Sequence, residues 1–244
     1  MTQTSLAPVL HEPPAAVRVR GTIALLAGAG EPAHVYERFG RRLAADGYAV
    51  GVFEAAEAGE AAAWLSGQEA APRVLAGSDR GAAAALSLAV HGGGGTGVDG
   101  VIVAGLPVGD RDDADADASE RTACPVHLGV LAGADARRAD AADTAPAGTT
   151  GRTPGRAVPS TTALAALGVP VLAVHGGADA IAPIDDARAA LAAVPTLEFV
   201  ETVGGLHDAL NDQSHRSVAA TIVLWLERLR AGDVASPIVR EVSR

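Results

Sequence analysis

Short apolar runs alternate with stretches of helical periodicity along most of this sequence, and that alternation restricts its fold more than any other feature. The runs are apolar throughout rather than at every second position, which is typical of strands buried on both faces of a parallel sheet. Helices that connect such strands cover both faces of the sheet. The sequence therefore predicts an α/β fold with a mostly parallel sheet. The expected strands are residues 22–27, 48–53, 73–77, 98–106, 170–175 and 197–203, and the expected helices are residues 34–45, a short one around Trp64, 81–90 and 214–230.

The alternation stops between residues 107 and 160, where Ala, Asp, Thr, Gly and Pro predominate. We interpret these residues as an insertion above the sheet, which serves either as a solvated loop or as a substrate lid. Few of its side chains are large and apolar, so it cannot offset its own ordering entropy, and we expect a partly disordered lid-like insertion. The predicted core comprises residues 20–106 and 161–232, flanked by an N-terminal tail of 1–19 and a C-terminal tail of 233–244.

Two patterns within the insertion are weak candidates for a metal site. Asp113, Asp115 and Asp117 have the spacing of a calcium loop, but the glycine and the closing glutamate of such a loop are missing. Cys124 and His127 have the spacing of half a metal site, but no second pair accompanies them. We therefore expect no metal, and a packed or capping pair at Cys124 and His127.

The charge balance and the residue usage exclude several classes of function. The chain has 19 basic and 29 acidic residues, a formal net charge of −10, and such an acidic surface repels nucleic acid. Every basic residue is an arginine, which removes mechanisms that need a lysine Schiff base or a P-loop lysine. Cys124 is the single cysteine, no apolar run is long enough to span a membrane, and residues 1–20 lack the apolar core of a signal peptide. These features predict a cytoplasmic protein with a small-molecule substrate, and they leave its oligomeric state undetermined.

A glycine-rich turn lies between the first predicted strand and the first predicted helix. Residues 28–33, Gly-Ala-Gly-Glu-Pro-Ala, match the G-x-G-x-x-A spacing of a dinucleotide-binding turn, and Glu54 stands where an acid would bind the ribose. Glu31, however, would place a negative charge beside the pyrophosphate, and the Tyr-x-x-x-Lys of short-chain dehydrogenases is absent. A nucleotide-dependent reductase is therefore a distant alternative, and we predict no cofactor.

A second glycine turn, Gly77-Ser78-Asp79-Arg80-Gly81, joins the third predicted strand to a helix of small residues. Strand, turn and helix with this spacing are the context of a nucleophile elbow, in which the central residue has a strained backbone and the strand and helix pass close together. Asp79 holds the central position, where serine is usual. The alternative is an ordinary strand-to-helix turn in which Asp79 caps the helix.

Two later turns carry an acid and a histidine. Asp179 follows the fifth predicted strand, and His207 follows the sixth. Because parallel strands end at one edge of a sheet, Asp79, Asp179 and His207 should converge there. Nucleophile, acid and histidine occur in this chain order in the catalytic triad of α/β-hydrolases.

The chain resembles the α/β-hydrolase superfamily over most of residues 20–232. Residues 175–183 (HGGADAIAP) are similar to the acid turn of that superfamily, and residues 205–212 (GLHDALND) are similar to the histidine loop of its lysophospholipase and monoacylglycerol-lipase branch. Residues 28–42 resemble the first turn and helix of the same branch. The resemblance implies an α/β-hydrolase fold and a hydrolase activity.

The resemblance also implies roles for individual residues. Asp79, Asp179 and His207 would form the triad, and the backbone amides of Ala29 and Arg80 would form the oxyanion hole. Arg80, Gly28 and Gly30 are the candidate substrate-binding residues.

Asp79 sets the chain apart from the serine hydrolases of the superfamily. Relatives with aspartate at the elbow include haloalkane dehalogenases and epoxide hydrolases, which have tryptophan where this chain has Arg80. Asp79-Arg80-Gly81 is closer to fluoroacetate dehalogenases, in which the arginine holds a substrate carboxylate, but their second arginine corresponds to Ala83 here. The insertion has neither a tryptophan to bind halide nor the tyrosines of an epoxide hydrolase lid.

The chemistry of Asp79 leaves two functions open. A carboxylate is ionised at neutral pH and can attack a saturated carbon directly; His207, oriented by Asp179, then activates the water that hydrolyses the resulting ester. The predicted function is a hydrolase of a small ester-like or C–X substrate. The alternative is a catalytically degenerate relative that binds a ligand, in which Asp79 and Asp179 flank His207 and raise its proton affinity.

Overall fold

The computed structural model describes residues 8–92, 97–109, 116–133, 157–240 and 242. Within them, seven strands form one sheet: β1 (Val9–His11), β2 (Gly21–Leu26), β3 (Tyr48–Phe53), β4 (Arg73–Ser78), β5 (Gly100–Ala104), β6 (Val171–Gly176) and β7 (Leu197–Thr202). Their order across the sheet is β1-β3-β2-β4-β5-β6-β7. Strand β1 pairs antiparallel with β3, and all other neighbouring strands are parallel.

Helices connect the parallel strands and cover both faces of the sheet. They are α1 (Glu37–Ala45), α2 (Ala58–Ser66), α3 (Arg80–His91), α4 (Ala118–Arg121), α5 (125–133), α6 (Thr161–Ala165), α7 (Ile184–Leu191) and α8 (His215–Arg230). Short 3-10 helices precede α1 at Ala33–Tyr36 and α2 at Ala55–Glu57.

Two buried clusters hold the layers together, one on each face of the sheet. On the first face, Phe39 and Leu43 of α1 and Trp225 of α8 pack with strand residues such as Ile23. On the second face, α2, α3, α6 and α7 contribute mainly alanine and leucine, which pack with residues such as Leu75. Burial of these apolar surfaces supplies the main driving force for the fold. The predicted mostly parallel sheet with helices on both faces is confirmed.

The six predicted strands are all present, with ends that shift by one or two residues. Strand β1 was not predicted, because three residues are too short to show a pattern and Leu10 is half exposed at the sheet edge. The predicted helix of residues 34–45 begins as a 3-10 turn before α1.

Part of the predicted insertion packs against the core. Residues 116–133 contain α4 and α5, and Arg121, Thr122, Cys124 and Leu131 are buried there. Of the insertion predicted at residues 107–160, residues 110–115 and 134–156 lie outside the described residues, as do Asp113 and Asp115 of the calcium-loop pattern. Among the described residues, no helix is both long and apolar enough to cross a membrane.

Candidate active site

The carboxyl ends of β4, β6 and β7 bring three predicted site residues to one edge of the sheet. Asp79 directly follows β4, Asp179 lies three residues after β6, and His207 lies in the loop after β7. Gly105, at the end of β5, has a φ of 53°, and a Cβ there would overlap the carbonyl oxygen of His207. The His207 loop is therefore packed tightly against the end of the neighbouring strand.

The turn that carries Asp79 has a strained backbone. Asp79 has φ 49° and ψ −121°, and among the described residues it is the one non-glycine residue with a positive φ. A Cβ on Gly77 would overlap the backbone of Gly81, and a Cβ on Gly81 would overlap the carbonyl of Leu26. Gly77 is thus required for the close passage of β4 and α3, and Gly81 for the close passage of α3 and β2. Strain of this kind costs about 1–3 kcal/mol and is concentrated at functional sites.

The two oxygens of the buried Asp79 carboxylate have different surroundings. Oδ2 accepts a hydrogen bond of 3.0 Å from the backbone N–H of Ala29, and Oδ1 lies 3.5 Å from Nε2 of His207. The side chain forms no capping hydrogen bond with α3, although Asp79 holds the N-cap position. The alternative interpretation of Asp79 as a helix cap is therefore not supported. Ala29 lies where its N–H can stabilise negative charge on that carboxylate.

Asp179 binds the other nitrogen of the His207 ring. The Nδ1–H of His207 donates to Oδ2 of Asp179 at 2.7 Å, and the backbone N–H groups of Ile181 and Ala182 each donate to Oδ1 at 2.9 Å. Nε2 of His175 lies 3.1 Å from Oδ2. Burial opposes ionisation of Asp179, but the hydrogen bonds from His175 and His207 prevail and lower its pKa. Asp179 is therefore a fixed anion that sets the tautomer and orientation of the His207 ring.

His207 is fully buried between two carboxylates. Burial alone lowers the pKa of an imidazole, but Asp179 and Asp79 outweigh it and raise the pKa of His207 to about 10. At neutral pH the ring is consequently an imidazolium that forms an ion pair with each carboxylate. The structure thus brings Asp79, Asp179 and His207 together in the order that the sequence predicts.

The glycine turn before α1 is held by side chains that the sequence analysis did not identify. The N–H of Gly28 is directed toward the Tyr36 hydroxyl, at 3.0 Å, and toward Oε2 of Glu31, at 3.3 Å. The Tyr36 hydroxyl in turn donates to Glu31, which is buried. The amide that would bind a pyrophosphate in a dinucleotide-binding turn is therefore satisfied within the protein, which argues against the reductase alternative.

A buried charged cluster, formed by Glu31, Arg121, His127 and Asp208, lies behind this turn. The Arg121 guanidinium forms ion pairs with Glu31 and with Oδ1 of Asp208, the latter at 3.1 Å, and Nε2 of His127 lies 2.8 Å from Oδ2 of Asp208. Burial raises the pKa of Glu31 against the opposing effect of Arg121. For Asp208, Arg121 and His127 overcome the effect of burial and lower the pKa.

Within the described residues, three side chains of this cluster, Glu31, His127 and Asp208, are close enough together to hold a metal ion. Oxygen and nitrogen atoms of Glu31, His127 and Asp208 lie within 4.8 Å of one another. The guanidinium of Arg121, however, already neutralises the two carboxylates, so the position of a cation is filled by an arginine. The remaining residue of the predicted pair, Cys124, is not part of the arrangement, and its sulfur lies 3.4 Å from a guanidinium nitrogen of Arg38.

A cavity of about 930 Å³ adjoins the turn and lies between α2 and α3. The candidate substrate-binding residues Gly28, Gly30 and Arg80 all line it, together with Ala29. Alanines and leucines of residues 55–62, β4 and α3 supply its apolar wall, and Glu31, Glu54 and His91 also line it. The two tryptophans lie elsewhere: Trp64 packs on Phe53 with 5.6 Å between ring centroids, and Trp225 is buried in the core. The cavity therefore fits a largely apolar ligand, and it presents both a basic side chain, Arg80, and two acidic ones, Glu31 and Glu54.

No protein-family model and no curated protein sequence matches this chain. Several solved structures are similar to it in fold. A monoglyceride lipase from Saccharomyces cerevisiae is 14% identical with a TM-score of 0.69, and the alignment covers 91% of each chain. A monoacylglycerol lipase from Paleococcus ferrophilus is 15% identical with a TM-score of 0.64, covering 92% of this chain and 98% of that one. An esterase domain from Rhodothermus marinus is 21% identical with a TM-score of 0.60, covering 91% and 92%. From the sheet order, the position of the three residues at its edge and these likenesses, we conclude that the chain has the α/β-hydrolase fold.

Proposed function

We propose that this chain is a hydrolase of a small ester-like or C–X substrate, with Asp79 as nucleophile, His207 as base and Asp179 as the residue that orients His207. The observation that carries the proposal is that the two oxygens of the Asp79 carboxylate have different partners. Oδ2 accepts a hydrogen bond from the Ala29 amide, and Oδ1 faces His207. The solved structures with the same fold include lipases, esterases and a thioesterase domain.

In the first step, Oδ1 of Asp79 attacks the substrate carbon that bears the leaving group X. A C–O bond forms, the C–X bond breaks, and X departs with the bonding electrons. Oδ2 becomes the carbonyl oxygen of the resulting ester. That oxygen is already hydrogen-bonded to Ala29, so no reorganisation is needed for the second step.

The second step depends on a change in the proton affinity of His207. Formation of the ester removes the negative charge of Asp79, which is one of the causes that raise the pKa of His207 to about 10. The pKa of His207 then falls, so the imidazolium releases one proton to solvent, and the neutral ring can take a proton from the attacking water. The water oxygen attacks the ester carbon, and negative charge develops on Oδ2. The Ala29 amide and the first turn of α3, which begins at Arg80, stabilise this charge. The bond from the ester carbon to the oxygen on the substrate carbon then breaks, the alcohol leaves with the proton that His207 took from water, and the carboxyl proton left on Asp79 passes to His207, which restores the resting ion pair.

This sequence of steps favours a C–X substrate over an ordinary carboxylic ester. Attack by Asp79 on an ester carbonyl would give a mixed anhydride, whereas attack on a saturated carbon gives a stable ester. A serine at the same position would need His207 as base in the first step, and Asp79 does not.

The experiment that tests the proposal is the trapping of the ester intermediate. With chloroacetate or 1-bromobutane as probe, His207→Ala should allow the first step and block the second, so that a substrate-derived mass accumulates on Asp79 and is located by peptide mapping. His34→Ala, which changes an exposed histidine, serves as the matched control and should turn over without accumulation. The proposal is wrong if the wild type consumes a probe while His207→Ala never carries an adduct at Asp79.

The second candidate function is that of a non-catalytic ligand-binding protein. Two observations favour it. His207 forms ion pairs with Asp79 and Asp179 without any ligand. Only 2% of Asp79 is exposed, so a substrate has little access to its carboxylate. In this case no halide or ester probe is consumed. Decanoate, a probe with an apolar chain and a carboxylate, should still raise the melting temperature, and Ala84→Trp, which fills the cavity, should abolish that rise.

A further inference from the structure

The side chain of Arg121 links the two turns on which the proposed reaction depends. Arg121 ends α4 in the insertion, outside the parallel sheet, and is 6% exposed. One guanidinium nitrogen contacts both Glu31, which follows the Ala29 turn, and Asp208, which directly follows His207. Glu31 in turn accepts from Tyr36 and Gly28, the residue before Ala29.

Backbone contacts reinforce the link on the His207 side. The N–H of Asp208 donates to the carbonyl oxygen of Arg121 at 2.9 Å. Asp212 closes the other end of the loop: its Oδ1 accepts from Thr122 Oγ1 at 3.0 Å and from the N–H of Ala123 at 2.8 Å, and its Oδ2 accepts from the N–H of Leu206 at 2.9 Å. Residues 121–123 of the insertion therefore hold both ends of the loop that carries His207.

The chemistry of the link requires an arginine. Two buried carboxylates cannot remain ionised side by side without a cation between them, and the planar guanidinium presents several N–H donors in a fixed geometry. Neither α4 nor the Ala29 turn contributes an atom to the sheet ladder, so their relative position is set by these side chains. Without the guanidinium, the Asp79 carboxylate alone would connect the Ala29 amide with the His207 ring.

We propose that Arg121 is a positioning residue, which fixes the Ala29 amide and the His207 ring relative to each other and makes residues 121–123 of the insertion part of the proposed reaction centre. The catalytic part of this inference rests on the proposed function. The positional part does not, because it concerns the resting protein.

Arg121→Met and Arg121→Lys test the inference, with Arg228→Met as the matched control. Arg228 forms a two-pronged ion pair with Glu198, at 2.6 and 2.8 Å, on β7 and α8 rather than at the site. We expect Arg121→Met to shift the ¹⁵N–¹H resonance of the Ala29 amide and to shift or broaden the low-field Nδ1–H resonance of His207. Arg121→Lys should restore part of the wild-type signals, and Arg228→Met should change neither. Unchanged signals in a folded Arg121→Met variant would overturn the inference.

Glu31→Gln provides a second test in case both Arg121 variants fail to fold. This isosteric change weakens the link only on the Ala29 side, so a shift of the His207 ring resonances reports transmission through Arg121 and Asp208, and an unchanged ring contradicts it. If the wild type consumes chloroacetate, Arg121→Met should lower kcat about 10- to 100-fold at nearly constant KM. If no probe is consumed, the proposed function fails while the resonance test still decides the role of Arg121.

Discussion

Nε2 of His207 faces Oδ1 of Asp79 across 3.5 Å, with both side chains buried. An oxygen this close to an imidazolium is held as an ion pair. The resting pair therefore stores the proton that the reaction would later release. Two of the following predictions concern this relationship.

Asp79→Asn should lower the pKa of His207 below its wild-type value of about 10, because one of the two carboxylates that raise it is lost. The folded pKa of His207 lies above the unfolded value near 6.5, so its contribution to the free energy of unfolding is complete below pH 6.5 and is lost as pH rises through about 10. The variant should lose part of that contribution at pH 7–8. NMR titration of the ring and urea unfolding at several pH values measure both effects.

Asp185→Asn, at an exposed aspartate of α7, is the control for a general change in net charge. An unchanged His207 titration in Asp79→Asn would show that the two side chains do not interact in solution.

Asp79→Ser should create hydrolysis of p-nitrophenyl esters. A serine hydroxyl at this turn lies beside the Ala29 amide and faces His207, so the base and the oxyanion donor are already in place. Removal of the Asp79 charge also lowers the pKa of His207, as a general base requires. Release of p-nitrophenolate, abolished by a second His207→Ala change and absent from Asp79→Ala, is the expected result; a variant without any activity would show that the amide or the ring is misplaced.

Gly81→Ala should destabilise the fold by about 1–3 kcal/mol, since overpacking at a closely packed backbone forces strand and helix apart. The added Cβ would overlap the carbonyl of Leu26 in β2. Gly59→Ala in α2 is the matched control, because a Cβ there meets no atom within 4 Å, and it should be neutral or stabilising by up to about 1 kcal/mol. Urea denaturation compares the two variants, and equal stabilities would contradict the close passage of α3 and β2.

NAD and NADP should not bind to the Gly28 turn. The Gly28 amide is directed toward Tyr36 and Glu31, and Glu31 is paired with Arg121, so a pyrophosphate would have to displace these contacts. Isothermal titration of each nucleotide provides the measurement. A micromolar dissociation constant corresponds to about 8 kcal/mol of binding free energy, more than a chance contact supplies, and would revive the reductase alternative.

The sequence alone predicts the layers of the fold and the residues of the candidate site because both depend on local patterns. Continuous apolar runs identify the six parallel strands, and glycine spacing around Asp79 identifies a turn that only small neighbours allow. Asp179 and His207 follow strands, and parallel strands end at one edge, so their convergence with Asp79 needs no further information. Strand β1 was not predicted from the sequence, since three residues are too few to show a periodicity.

Only the tertiary structure decides how the site is held together. Glu31 appears in the sequence as an unfavourable charge in a nucleotide turn, yet it is buried against Arg121, which is 90 residues away along the chain. Asp208 and His127 likewise join across the boundary between the core and the insertion. A buried charge selects its partner by proximity in space, and no periodicity or spacing in the sequence records that proximity. The sequence identifies Asp79, Asp179 and His207 and predicts that two flanking carboxylates would raise the proton affinity of His207. That Asp179 binds Nδ1 while Asp79 faces Nε2 follows only from their packed geometry.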